Sequence, residues 1–181
     1  MKIIITGGAG YIGSHTAVEA LRAGHEVIII DSLINSSYES IERIEKASGK
    51  SVIFYHLSLL DNPLDIYDEI GEHSRKADAL IHFAALKSSP DSVGNPLRYY
   101  RNNIDSLITS IRLCEMLDIK NFIFSSSCTV YGQPQYLPIN ESHPISKGTT
   151  PYGSSKVVGE WILEDCTAIK KLKSQIRLTL V

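Results

Sequence analysis

Residues 6–13 read Thr6-Gly7-Gly8-Ala9-Gly10-Tyr11-Ile12-Gly13 and follow the apolar run Ile3-Ile4-Ile5. A strand, a glycine-rich turn and a helix in this order are typical of a dinucleotide site. Glycine allows the tight turn, the close approach of a pyrophosphate and the close packing of the helix. The pyrophosphate then lies on the free N–H groups of the helix N-terminus. The glycines fit two spacings, Gly7-Gly10-Gly13 and Gly8-Gly10-Gly13, and we expect the first set at the cofactor.

Asp31 ends the next apolar run, 18 residues after Gly13. An acidic residue about 20 residues beyond such a turn binds the adenosine ribose of the dinucleotide. Its carboxylate accepts hydrogen bonds from the ribose hydroxyls and repels a 2′-phosphate, so NAD is predicted rather than NADP.

Short β-branched runs alternate with longer amphipathic stretches along the rest of the chain. Continuous apolar strands separated by helices predict an α/β fold, a doubly wound and Rossmann-like parallel sheet with helices on both faces. The predicted strands are residues 2–6, 26–30, 52–57, 79–84, 121–125 and 176–181. The predicted helices are residues 12–23, 36–48, 62–74, 94–117 and 152–170. Residues 132–151 are predicted to form one long irregular segment.

The composition is that of one soluble domain: 181 residues, 43% hydrophobic and 21% charged, with a net charge of −2. This charge, without dense basic blocks, argues against nucleic-acid binding. No apolar run approaches the ~20 residues that span a bilayer, and Met1-Lys2 leads straight into Ile3, so no signal peptide is expected. Three widely spaced cysteines suit the reducing cytoplasm. The histidine spacing predicts no metal site.

Tyr152 and Lys156 lie four residues apart in Pro151-Tyr152-Gly153-Ser154-Ser155-Lys156, where Pro151 suits the first turn of a helix. This spacing puts both side chains on one face, where the ammonium is expected to lower the pKa of the phenol and make it a base. The pair is common in proteins on its own. The serine run 125–127, however, follows a hydrophobic strand at the edge where α/β sheets bind ligands, and predicts a contact with a substrate hydroxyl.

The chain resembles the N-terminal part of the UDP-glucose 4-epimerases, members of the extended short-chain dehydrogenase/reductase superfamily. The SSSCTVYG stretch resembles these epimerases more than the related sugar-nucleotide dehydratases. The matching stretches are TGGAGYIGSHTAVEAL from Thr6, Asp31-x-x-x-Asn35, IHFAALK from Ile81, NPLRYYRNN from Asn95, NFIFSSSCTVYG from Asn121 and PYGSSK from Pro151.

The resemblance implies epimerisation at C4 of a UDP-hexose, through a 4-keto intermediate and with tightly held NAD. Tyr152 would deprotonate the 4-hydroxyl, Lys156 would hold the nicotinamide ribose, and Ser127 would bridge the substrate and Tyr152. The implied cofactor contacts also include Tyr11, Ile12, Asp31, Asn35, Phe83, Ala84, Lys87 and Asn102. Family dimers form through the helices of residues 94–117 and 152–170, so a homodimer is expected.

The sequence departs from the family at three places. Ser58, followed by Leu59, stands where an Asp usually reaches the adenine, although both remain expected cofactor contacts. Ser32 stands where an Asn is common. The chain ends at Val181, so we expect a single NAD-binding domain over residues 1–181, without the family's C-terminal substrate domain. Two alternatives stay open: a non-catalytic NAD-binding remnant, and an epimerase of another UDP-sugar such as UDP-xylose or UDP-N-acetylglucosamine.

Overall fold

Six parallel strands and the helices between them make up the computed structural model, which describes residues 1–168 and 177–180. The strands are β1 (Lys2–Thr6), β2 (Glu26–Asp31), β3 (Ile53–His56), β4 (Ala79–His82), β5 (Asn121–Phe124) and β6 (Arg177–Leu180). The helices are α1 (Tyr11–Arg22), α2 (Glu39–Ser48), α3 (Pro63–Ser74), α4 (Ser89–Gly94), α5 (Pro96–Met116) and α6 (Pro151–Ala168), with a 3-10 helix at Cys128–Tyr131.

The strand order is β3-β2-β1-β4-β5-β6, and every neighbouring pair is parallel. The order reverses between β1 and β4, which opens a crevice at the carboxyl ends of the strands, where sheets of this kind bind ligands. The predicted doubly wound α/β fold is therefore confirmed. The register sets Thr6, His82 and Phe124 side by side at this edge.

Two hydrophobic cores cover the two faces of the sheet, which explains the continuous apolar strands. Ile3 and Ile5 belong to the core that includes Ile41 of α2, whereas Ile4 belongs to the core that includes Leu107 of α5. Successive residues of a strand point to opposite faces, so a strand buried on both sides is apolar throughout.

The helix predicted over residues 94–117 is confirmed as α5, which begins at Pro96, whereas the short helix α4 before it was not predicted. Asn95 separates α4 from α5, and its side-chain oxygen accepts a hydrogen bond from the Arg98 N–H at 3.4 Å. Such a cap ends one helix and begins the next. Helix α2 begins at Glu39, later than predicted, because the preceding turn is folded around Asp31.

The ends of two predicted elements lie outside the described residues. These are residues 169–170 of the last predicted helix and residues 176 and 181 of the last predicted strand. Residues 132–150 contain no helix or strand, as predicted, and hydrogen bonds of Ser146 to Val130 (3.0 Å) and Tyr131 (2.9 Å) tie them to the 3-10 helix. Within residues 1–168 and 177–180, no helix is long and apolar enough to cross a membrane.

Candidate functional site

A cleft of about 390 Å³ runs along the carboxyl edge of the sheet, at the reversal of strand order. Its volume is in the range of small-molecule sites. All residues that the sequence predicts for the site line this cleft: Gly7, Gly10, Tyr11, Ile12, Gly13, Asp31, Asn35, Ser58, Leu59, Phe83, Ala84, Lys87, Asn102, Ser127, Tyr152 and Lys156. In the described part of the chain no cluster of His, Cys, Asp or Glu could hold a metal ion.

The glycine-rich turn forms one wall of the cleft. Gly7 has φ 70°, and a Cβ there would lie 2.6 Å from the Ala84 nitrogen; a Cβ on Gly13 would overlap the Gly7 carbonyl oxygen. Gly8 is absent from the cleft lining, and a Cβ there would meet the Ile29 side chain at 2.8 Å. The wider spacing therefore shapes the cleft, while Gly8 allows packing on the sheet.

The N-terminus of α1 opens onto this turn and carries no acidic residue of its own. Gly10 is its N-cap and offers no side-chain cap. The first N–H groups of a helix have no partner within the helix and lie at the positive end of its dipole. They suit the phosphates of a dinucleotide.

Asp31 holds the loop after β2 in place. Its Oδ2 accepts a hydrogen bond from the Ala9 N–H at 3.0 Å, and its Oδ1 accepts from the Leu33 N–H at 2.8 Å and the Ser36 hydroxyl at 3.1 Å. A carboxylate has about four acceptor positions, so room remains for a ligand hydroxyl. The carboxylate is thus fixed in orientation at the cleft wall.

Ser58 forms a small turn instead of presenting a charge to the cleft. Its hydroxyl accepts from the Leu60 N–H at 3.2 Å, and its own N–H donates to Asp61 Oδ2 at 3.3 Å. Ser32, the other departure noted in the sequence, also lines the cleft, and its carbonyl oxygen lies 3.1 Å from His56 Nε2.

Asn103 joins three segments of the site, and the sequence did not single it out. Its Oδ1 accepts from the Leu86 N–H (2.8 Å) and from Asn102 Nδ2 (3.0 Å), while its Nδ2 donates to the Leu86 carbonyl (3.0 Å) and to Ser155 Oγ (2.9 Å). Ser155 in turn donates to the Tyr152 carbonyl oxygen at 2.7 Å. This buried amide connects the loop after β4 with α5 and the start of α6.

Lys156 is almost fully buried at the base of the cleft, 4% exposed. Its Nζ donates to the Ser125 carbonyl oxygen at 2.7 Å and lies 4.7 Å from the Phe124 ring centroid. Burial lowers the pKa of Lys156 to about 8, and the neighbouring Glu160 opposes this effect. Glu160, which the sequence analysis missed, is also buried and accepts a hydrogen bond from the Ser126 hydroxyl.

The sequence-based expectation for the Tyr152 pKa is wrong in direction. Burial raises the pKa of Tyr152 above its ordinary value, the Ser127 hydroxyl lowers it, and the nearby Cys128 raises it. Lys156 donates its hydrogen bond to the backbone of Ser125. In this structure, desolvation of the phenolate is therefore the largest influence on the pKa of Tyr152.

His82 lies beneath the site and was also missed. Its Nδ1 is 2.9 Å from Thr6 Oγ1 and 3.0 Å from Ser110 Oγ, and its ring stacks with that of Phe124. Complete burial, and then the charge of Lys156, lower the pKa of His82 to about 3. The imidazole is therefore neutral at ordinary pH.

The family, the sequence relatives and the solved structures that this chain resembles are all epimerases or include them. The NAD dependent epimerase/dehydratase family matches residues 3–176. A UDP-glucose 4-epimerase of Yersinia enterocolitica is 47% identical over 165 residues, which are 91% of this chain and 48% of that protein. The chain therefore spans about half the length of the curated relatives that it matches.

Two solved structures share the fold at 38% identity, each over 99% of this chain and 52% of the other. One is UDP-glucose 4-epimerase of Bifidobacterium longum in complex with NAD⁺ and UDP, with a TM-score of 0.91. The other is UDP-glucose 4-epimerase of Stenotrophomonas maltophila with bound NAD and formylated UDP-arabinopyranose, with a TM-score of 0.90.

Proposed function

Because the chain belongs to the NAD dependent epimerase/dehydratase family, we propose that it binds NAD and serves epimerisation at C4 of a UDP-hexose, UDP-glucose or UDP-galactose. The observation that carries this proposal is that one cleft contains both the glycine turn with Asp31 and the group of Ser127, Tyr152 and Lys156. A dinucleotide site and a proton-transfer site therefore adjoin one another.

The residues of the cleft fit NAD. The uncapped N-terminus of α1 suits the pyrophosphate, and the oriented carboxylate of Asp31 suits ribose hydroxyls while repelling a 2′-phosphate. Lys87 and Asn102 also line the cleft and would contact the cofactor. Bound NAD would supply the acceptor for a hydride from C4 of the sugar and would return it to the other face.

The chain's own part in this reaction is proton transfer. Tyr152 would take the proton of the sugar 4-hydroxyl and later return it, with the Ser127 hydroxyl between them. Because burial raises the pKa of Tyr152, its action as a base requires positive charge in the cleft. Lys156 on the next turn of α6 and the cationic nicotinamide ring of NAD would supply that charge.

Another UDP-sugar is the alternative substrate, because the similar protein from Stenotrophomonas maltophila holds a formylated UDP-arabinopyranose.

We also propose that the reaction takes place in the cytoplasm, since Cys114, Cys128 and Cys166 are all free thiols.

A homodimer through α5 and α6 is part of the proposal. Leu97 and Ile108 of α5 and Trp161 of α6 are exposed apolar side chains on these two helices, which pack against each other. A contiguous patch of exposed apolar side chains is typical of an association surface, and we propose that these three side chains form part of one. Sedimentation velocity of the wild type and of Trp161→Glu tests this: we expect a dimer that the substitution dissociates, and a wild-type monomer would contradict it.

The function is tested by cofactor binding followed by turnover. Isothermal titration of the stripped protein should show NAD binding and much weaker NADP binding. Incubation with NAD and UDP-galactose should then yield UDP-glucose by chromatography. Tyr152→Phe should abolish turnover and spare NAD binding, whereas Tyr38→Phe, an exposed tyrosine outside the cleft, should change neither.

The possible outcomes separate the alternatives. Absence of NAD binding refutes the whole proposal. NAD binding without turnover of UDP-galactose or of other UDP-sugars supports a non-catalytic NAD-binding protein. Turnover that survives in Tyr152→Phe refutes the role of Tyr152.

A further inference from the structure

Residues 125–127, directly after β5, face successive turns of α6. The Ser125 carbonyl oxygen accepts from Lys156 Nζ at 2.7 Å, and the Ser126 hydroxyl donates to Glu160 Oε1. These contacts join segments that are 31 and 34 residues apart in the sequence. Two consecutive residues of the segment after β5 are thus each engaged by a charged group of α6.

Ser127, the third residue of this segment, also contacts α6, since its hydroxyl forms a hydrogen bond with the Tyr152 side chain. Tyr152, Lys156 and Glu160 are spaced four residues apart, and residues at this spacing lie on one face of a helix. The Gly159 beside Glu160 keeps α6 close to the sheet, because a Cβ there would lie 2.9 Å from the Phe124 ring.

Glu160 is 8% exposed, which is unusual for a carboxylate on a helix. Carboxylates are almost never fully buried unless they are paired or hydrogen-bonded. Ser126 supplies one neutral hydroxyl, and Lys156 supplies the compensating charge one turn away. In the described part of the chain these two charged groups make no direct ion pair, so they interact through the protein interior.

We propose that Glu160 is a positioning residue of the site: its carboxylate keeps Lys156 protonated and, through Ser126, fixes α6 in register with the end of β5. The inference rests on the proposed function, in which Lys156 presents a positive charge beside Tyr152. A neutral lysine could not do so.

The electrostatic surroundings of Lys156 support this assignment. Burial lowers the pKa of Lys156 and Glu160 raises it. From the sheet, Lys156 faces the Phe124 ring, the Ser125 carbonyl oxygen and His82, whose own lowered pKa leaves it neutral. Tyr152 precedes it on α6 and is uncharged, since burial raises the pKa of the phenol. Among the described groups, the negative charge that acts on Lys156 therefore comes from Glu160.

The direct test is the titration of Lys156 itself, followed by NMR of lysine side chains labelled with ¹³C at Cε. The Lys156 signal is assigned by its loss in Lys156→Met. In Glu160→Gln, which keeps the size and the hydrogen-bond acceptor, we expect the midpoint of Lys156 to fall by about one pKa unit. In the matched control Glu164→Gln, an exposed carboxylate one turn further along α6, we expect no change. An unchanged midpoint in Glu160→Gln overturns the proposal.

A double-mutant cycle covers the case in which Glu160→Gln folds poorly. Loss of the carboxylate leaves a buried and uncompensated ammonium, so adding Lys156→Met should stabilise the Glu160→Gln protein more than it stabilises the wild type. Equal gains in the two backgrounds would overturn the proposal.

Neither measurement needs NAD, so they stand apart from the proposed function. A wild type that fails to bind NAD refutes the function but still reports the midpoint of Lys156. Where NAD does bind, its affinity should decline as the pH rises and Lys156 loses its proton. The pH of this decline should be lower in Glu160→Gln than in the wild type and unchanged in Glu164→Gln. A decline at the same pH in all three proteins counts against the proposal.

Discussion

The Nζ atom of Lys156 lies 2.7 Å from the carbonyl oxygen of Ser125 and thereby ties a buried ammonium on α6 to the end of β5. This carbonyl, the Phe124 ring and the neighbouring Glu160 compensate only in part for the burial of a lysine that is 4% exposed, since its pKa is still lowered. A cleft residue whose pKa is strongly shifted by burial is typical of a functional site. Such sites reduce the stability of the fold, which other parts of the structure must offset.

The cost of this burial should be visible as a pH dependence of stability. The pKa of Lys156 is lowered from 10.5 to about 8 in the folded protein, so folding favours the neutral amine. The contribution of Lys156 to the free energy of unfolding is therefore fully present above pH 10.5 and is lost as the pH falls towards 8. At ~1.4 kcal/mol per pKa unit, the wild type should gain about 3 kcal/mol relative to Lys156→Met between pH 8 and 10.5. Urea unfolding of both proteins measures this, and parallel curves would contradict it.

His82 should make the fold sensitive to acid. Its pKa is lowered from 6.5 to about 3 in the folded protein, so its contribution is present above pH 6.5 and is lost as the pH falls towards 3. Between pH 7 and 5 the wild type should lose about 2 kcal/mol more than His82→Asn, whose amide can still bond Thr6 and Ser110. Unfolding free energies at the two pH values test this, and an equal loss in both proteins would show that His82 is not responsible.

Gly13→Ala should damage both stability and cofactor binding. The new Cβ would overlap the Gly7 carbonyl oxygen, so the turn must shift, at a cost of about 2 kcal/mol and at least a tenfold loss of NAD affinity. Gly71→Ala is the matched control: nothing lies within 4 Å of its Cβ in α3, and it should stabilise the protein by about 0.5–1 kcal/mol. Thermal unfolding and calorimetry measure the two effects, and unchanged NAD binding in Gly13→Ala would refute the role of this turn.

Asp31→Asn should weaken the preference for NAD. The amide keeps the size but cannot accept from both Ala9 and Leu33, and it no longer repels a 2′-phosphate. NAD affinity should fall roughly tenfold while NADP affinity falls less or rises. Titration with both cofactors measures the ratio, with the exposed Asp65→Asn as control. A ratio equal to that of the wild type would remove Asp31 as the residue that selects the cofactor.

The residues that were predicted correctly as cleft residues form two groups: those recognised by their local chemistry, and those, such as Asn35, Phe83 and Asn102, that only the resemblance to a family implied. The glycines of the turn, Asp31 after its strand and the pair Tyr152 and Lys156 are recognised by short spacings within one element or one turn. The boundary errors are also local, since a cap such as Asn95 between two helices looks like an ordinary polar residue of a longer helix.

Asn103, His82 and Glu160 were missed for a different reason. Each forms hydrogen bonds with residues 17–76 positions away, and no sequence spacing marks such contacts. The direction of the Tyr152 pKa was wrong because the spacing to Lys156 reveals a neighbouring charge but not the depth at which the phenol is buried.

The sequence by itself determined the alternation of strands and helices, the site at the carboxyl edge, and the glycine turn, Asp31 and the Tyr152–Lys156 pair that meet there, because periodicity and turn chemistry act over a few residues. Only the tertiary structure decided how those residues are charged and held. Desolvation and through-space interactions depend on how closely distant segments pack, and here that packing places Glu160, Lys156 and His82 together beneath one cleft.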